Sequence, residues 1–266
     1  MLAAVVLLMS CSKDDAQVSN NETQTVTLTF SPYTMESMTR AATSIASVVT
    51  HLDVWITDGT TEVEAHQTNA DDGFGTVSMT LDKTKTYTMY AVAHKCTTNA
   101  TLSDGVIAFP DDKVTHSMFY TTTFSPATTT NLSCLMNRIV ADFRLEITDE
   151  IPAAVKKIRF TVSDVFDRWS VTDGGTHQLD RTSLITYNGT SDIFNVYAIT
   201  TDAQTLHTVT IDALDENDQE VQTRTFADVP LRNGYKTSYR GTFFIDTPMT
   251  MSFTVGDWNE YDTVDF

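Results

Sequence analysis

The sequence predicts an all-β protein built as two β-sandwich domains in tandem. Three observations carry this. Thr, Ser, Val, Tyr and Phe dominate the ordered stretches, residue types that suit a pleated, half-buried surface. Short runs of alternating apolar and polar residues recur at close intervals, separated by Gly, Pro, Asp and Asn turn signals. The runs also divide into two halves of similar strand number, and 266 residues suffice for two domains of ordinary size.

The chain opens on ten uncharged, mostly apolar residues that run into Leu8-Met9-Ser10-Cys11-Ser12-Lys13-Asp14-Asp15. An apolar run this short ends at a small residue as a secretory signal does, and it cannot span a bilayer. Met1-Leu2-Ala3-Ala4 lacks the basic residues of a signal's n-region, so these are expected upstream of the given start. Residues 16–24 are polar and acidic and read as a tether. Residues 25–30, Thr-Val-Thr-Leu-Thr-Phe, alternate with the period of a strand that buries one face, and Ser31-Pro32 ends it. Residues 35–47 read as a loop with room for a helical turn, and they carry a lone basic residue, Arg40.

Strands are expected over residues 48–56, 75–81, 85–94, 106–109 and 118–124. Within 85–94, Tyr87, Met89, Ala91 and Ala93 share one face, and Tyr90 and Val92 the other. Residues 126–131, Pro-Ala-Thr-Thr-Thr-Asn, form the expected linker between domains. Residues 132–147 are long enough for two strands or one bent strand. Further strands are expected over 158–165, 193–199, 208–214, 221–226, 239–245 and 249–255. The acidic patch 212–220 reads as a hairpin loop and lacks the spacing of a calcium loop. The tail carries apolar residues at Trp258, Tyr261, Val264 and Phe266 and reads as an extra strand or a loose end. The resulting division is a signal over 1–10, a tether over 11–24, one sandwich over 25–128 and a second over 129–266.

Charge narrows the partners. Seventeen basic against 35 acidic residues give a net charge of -18, which argues against nucleic acid and anionic lipid headgroups. Cys96 and Cys134 are left once Cys11 is set aside; they either pair or sit as small apolar core residues. No nucleophile elbow, HExxH, P-loop or dinucleotide fingerprint occurs, and the six histidines are scattered. No cofactor, metal or catalytic residue is expected. Trp55, Trp169 and Trp258 are either core residues or a sugar-stacking platform.

An N-terminal strand upstream of a basic residue carries a mechanical idea. A trypsin-like cut after Arg40 would release residues 25–30 and open a groove of unpaired backbone groups. A neighbouring subunit could fill that groove with a strand of its own, for which the tail after Val255 is a plausible donor.

Three stretches carry a family resemblance. The segment around Cys11 resembles a bacterial lipobox followed by the surface-export tag of Bacteroidetes lipoproteins, Lys13-Asp14-Asp15. Leu135-Met136-Asn137-Arg138-Ile139-Val140-Ala141-Asp142-Phe143 resembles the strand that opens the second domain of Bacteroidetes fimbrillin-type proteins. Phe226-Ala227-Asp228-Val229-Pro230-Leu231-Arg232-Asn233, with Tyr235 and Gly241 after it, is similar to that family too. With Thr39-Arg40-Ala41, these resemble the fimbrillin and FimB-type anchor superfamily.

The resemblance implies two transthyretin-like sandwiches and a role in cell-surface pili assembled by strand exchange. It implies acylation of Cys11, an outer-membrane location and other pilus subunits as partners. Within the family, stalk subunits lose the first strand to cleavage after an arginine, whereas anchors keep strand and lipid. The anchor role is preferred here, with a cleaved stalk pilin and a surface glycan-binding lipoprotein as alternatives. A secreted hydrolase on a β-scaffold ranks behind them.

Overall fold

The computed structural model describes residues 22–33, 44–245 and 252–257. The first nine strands are β1 (Thr23–Pro32), β2 (His51–Thr57), β3 (Glu62–Thr68), β4 (Thr76–Asp82), β5 (Tyr87–His94), β6 (Thr101–Ser103), β7 (Val106–Ala108), β8 (Met118–Phe124) and β9 (Asn131–Arg138). Then follow β10 (Ala141–Ile147), β11 (Lys157–Ser170), β12 (Gly174–Thr186), β13 (Ile193–Ala198), β14 (Thr205–Leu214), β15 (Glu220–Leu231), β16 (Tyr235–Gly241) and β17 (Ser252–Asp257). The fold is an all-β sandwich protein.

In the first half the strands run in the order β3-β2-β5-β8-β9-β1-β4. The link between β8 and β9 is narrow, with Met118 opposite Arg138 and Phe119 opposite Asn137. The sheet folds over at this corner, so β9-β1-β4 faces β3-β2-β5-β8 across one core. Val26, Leu28 and Phe30 of β1 meet Leu52, Val54 and Ile56 of β2 there, together with Met89 and Ala91 of β5. Alternation dictates this arrangement, because every second side chain on a strand points to the same face. Gly75 marks the turn into β4. Its φ is +90, a left-handed backbone that glycine adopts freely, and an added Cβ would come within 2.6 Å of Ile45.

The second half pairs a sheet of order β13-β10-β16-β17 with a sheet of order β15-β14-β11, and β12 lies along the other side of β11. Its core gathers Phe143 and Leu145 of β10, Phe160 and Val162 of β11, Phe194 of β13 and Ile211 of β14.

A third cluster joins the halves. The β6–β7 hairpin leaves the first half and pairs with β11, setting Ala108 opposite Arg168, Ile107 opposite Trp169 and Val106 opposite Ser170. Trp55, Val92, Ile107, Phe119, Val140 and Trp169 pack together around it. This explains why five consecutive residues of β2, Leu52 to Ile56, are buried: one face serves the first core and the other serves the junction.

Several sequence expectations are corrected. Residues 131–138, placed by the sequence with the second half, form β9, which pairs with β8 and, in parallel, with β1. The strand expected at 239–245 lies at Tyr235–Gly241. The N–H groups of Phe243, Phe244 and Ile245 instead donate to the Asp149 carboxylate at 2.7, 2.7 and 3.0 Å, which ends the ladder. The strand expected at 249–255 lies at Ser252–Asp257. The acidic hairpin turn is confined to the residues after Leu214, since Asp212 sits within β14 and Glu220 opens β15.

Candidate strand-exchange site

β1 carries no charged residue, and its sequence alternates small polar with large apolar side chains. That pattern places it inside a sheet, and it is paired along both edges. Toward β4 it is antiparallel, with Thr23 opposite Asp82 at one end and Thr29 opposite Thr76 at the other. Toward β9 it is parallel, from Thr27 opposite Asn131 to Pro32 opposite Met136. Backbone bonds continue past both ends: Lys83 N–H donates to Glu22 O at 2.7 Å, and Tyr33 N–H to Met136 O at 2.8 Å.

The two faces of β1 differ. Val26, Leu28 and Phe30 are buried in the first core. Each such side chain contributes about 1.5–3 kcal/mol by leaving water. On the outer face the Thr25 hydroxyl meets that of Thr80 at 3.3 Å, and Thr27 meets Ser78 at 3.2 Å. Such a strand is held by main-chain pairing and by pockets for alternate side chains, the chemistry of strand addition. Without β1, the facing edges of β4 and β9 would stand unpaired, above a slot walled by Val77, Met79, Leu81, Cys134 and Met136. Any extended segment with apolar residues at every second position meets its requirements.

Cys11, Arg40, Trp258, Tyr261, Val264 and Phe266, the residues singled out in the sequence, lie outside the described residues. Of the three tryptophans, Trp55 and Trp169 are buried in the junction, and Trp258 lies outside the described residues. Neither buried indole offers a stacking surface. Cys96 and Cys134 are both free thiols in buried positions. Burial pushes the Cys134 thiol up to about 12.

The structure brings together what the sequence leaves scattered. Asp53, fully buried on β2, receives His66 Nδ1 at 2.7 Å, His94 Nε2 at 2.8 Å and the Ala100 N–H at 2.9 Å. Cys96 N–H donates to the other nitrogen of His94 at 3.1 Å, and the His51 ring stacks on His94 at 5.3 Å. These contacts tie the chain that leads into the β6–β7 hairpin back onto β2 and β5. This satisfied network holds the junction; no spacing in the sequence announces it, because its members come from three strands. A second junction histidine, His116, accepts from Arg138 Nε at 3.0 Å. Burial, with the positive charges of Arg138, Lys95 and Lys236, lowers its pKa to about 3. Among the described residues, no group of three or more His, Cys, Asp or Glu side chains is placed to hold a metal ion.

No protein-family model matches the chain, and no curated protein matches it. Solved structures do. An inferred adhesin from Bacteroides ovatus is 15% identical with a TM-score of 0.56, covering 89% of this chain and 95% of that one. An inferred cell adhesion protein from the same species is 13% identical with a TM-score of 0.53, covering 88% of this chain and 98% of that one. An inferred cell adhesion protein from Bacteroides uniformis is 14% identical with a TM-score of 0.50, covering 90% and 99%. At these identities the likeness establishes a common fold across most of the chain.

Proposed function

We propose that this chain is a structural, non-enzymatic subunit of a cell-surface fimbrium, anchored in the outer membrane of a Bacteroidetes cell by lipid on Cys11. The observation that carries the reading is β1, an interior strand supplied by the N-terminal end of the body and paired on both edges. As the first described strand, it could leave by a single cut without dividing the rest of the body. The shared fold with inferred adhesins of Bacteroides supports a place at the cell surface.

In the anchor role the lipid and the first strand stay together. Cys11 and β1 lie on the same side of Arg40, so a cut there removes the lipid and the strand together. A subunit that stays attached through Cys11 therefore keeps its own groove filled. It can still donate a strand to a neighbour, for which residues 258–266, with Trp258, Tyr261, Val264 and Phe266, are proposed. Residues 12–22 between the lipid and β1 span at most about 40 Å when extended. An anchored subunit of this kind ends the polymer at the membrane.

Two variants expressed in cells test the assignment. Removing residues 258–266 is expected to abolish co-purification of neighbouring fimbrial subunits, while Arg40→Ala leaves both attachment and co-purification intact. Unchanged co-purification without the tail contradicts the donor role. Loss of fimbriae in Arg40→Ala would instead indicate a cleaved stalk subunit.

A further inference from the structure

In the second half, a cleft of about 450 Å³ opens where β11, β12 and the approach to β14 meet. Its size lies within the range of small-ligand sites. β11 is bulged here: Val162 faces Arg181 and Val165 faces Leu179, so Ser163 and Asp164 share the place of one residue. Asp164 adopts φ +54, and its N–H donates to Asp180 Oδ1 at 3.1 Å. The bulge turns the exposed Asp164 side chain to the cleft wall.

The lining has a definite chemistry. His207 Nδ1 donates to Ser163 O at 2.8 Å; in the tautomer that carries its single proton there, Nε2 accepts from the Thr205 hydroxyl, 2.7 Å away. The Thr201 hydroxyl donates to Ala203 O at 2.7 Å. Both hydroxyl hydrogens are thus used within the protein, and the oxygens keep lone pairs for a ligand. The Asp164 carboxylate, whose Oδ1 accepts from Gln178 Nε2 at 3.4 Å, adds further acceptor lone pairs, as does the Gln178 amide oxygen. Phe166 and Leu206 supply apolar surface, and Leu206 is 61% exposed. No lysine or arginine lines the cleft.

We infer that this cleft is a binding site for a neutral hexose unit of a glycan. An acceptor-rich wall recognises a ligand through its hydroxyl hydrogens. Phe166 and Leu206 would cover the C–H face of a pyranose. The carboxylate with no lining cation disfavours phosphate, sulfate and acidic sugars. The inference uses no residue of the β1 site and stands or falls apart from the fimbrial assignment.

The test is a panel of neutral and acidic oligosaccharides against the purified chain, with saturation-transfer NMR on the strongest binder. Asp164→Asn is the informative variant, because Asn also tolerates the left-handed backbone at this position. Binding of a neutral hexose oligosaccharide is expected, weakened roughly tenfold or more by Asp164→Asn and by Gln178→Ala. Thermal unfolding is expected to stay unchanged in both. The inference is overturned if no neutral glycan binds at millimolar concentration, if both variants bind like the parent, or if acidic sugars or simple amines are preferred.

Discussion

Phe30 of β1 stands directly beside Cys134 of β9 in parallel register, and both side chains are buried in the first core. The pair fixes β1 against a strand that continues, after Arg138, into the second half. β1 is thus coupled to the path by which the chain crosses the junction.

Truncation on the inner face of β1 is expected to be costly. Leu28 is fully buried, so Leu28→Ala should destabilise the protein by about 2–5 kcal/mol. Thr25→Ala, on the exposed outer face, should change stability by less than about 0.5 kcal/mol. Urea unfolding followed by intrinsic fluorescence compares the two. Equal effects would show that β1 is not held by its apolar face.

The two buried thiols should be inert in the native state. Cys134, with its pKa pushed up to about 12, holds almost no thiolate at neutral pH. Iodoacetamide is expected to label both Cys96 and Cys134 only after denaturation, giving two adducts by intact mass. A species resistant to labelling until reduced would mean a disulfide that the structure lacks.

His116 gives the stability an acid limb. Its pKa of about 3 lies below the ordinary histidine value of 6.5, so the unfolded chain takes up the proton first. Its neutral form is matched to the Arg138 N–H, and its contribution is complete above pH 6.5. That contribution is lost as pH falls from 6.5 toward 3, at up to about 1.4 kcal/mol per pH unit. His116→Gln keeps an acceptor for Arg138 without titrating. Denaturant unfolding across this range should show a shallower slope for the variant, and identical slopes would remove His116 from the account.

The β6–β7 hairpin acts as a clasp between the halves. Ile107, fully buried opposite Trp169, anchors it. Ile107→Ala should cost about 2–5 kcal/mol and loosen the junction first. Hydrogen exchange is expected to quicken at residues 106–108 and 168–170, while residues 26–30 remain protected. Uniform acceleration across all three segments would show that the hairpin merely shares in global stability.

The sequence disclosed the strands that bury apolar faces and concealed exposed edge strands and very short ones. β5 and β10 alternate cleanly, and their faces are as expected: Met89 and Ala91 join the first core, Phe143 and Leu145 the second. β3 and β12 are edge strands with mostly exposed or half-buried side chains, so periodicity gave no sign of them. β6 is three residues long, too short to show a period. The Asp53 network was hidden for a different reason: His66, His94 and Ala100 reach the carboxylate only through the pairing of β3 and β5 with β2. The cleft beside Asp164 depends on a bulge, and a one-residue slip in register leaves no mark on hydrophobic spacing.

The central claim is that lipid and first strand remain together on a surface subunit. Intact mass and N-terminal analysis of the protein from native outer membranes tests it most directly. The account predicts a mature form that begins at acylated Cys11 and retains β1. A form beginning at Ala41 would contradict the anchor assignment, and an unmodified start at neither position would contradict the lipoprotein on which it rests.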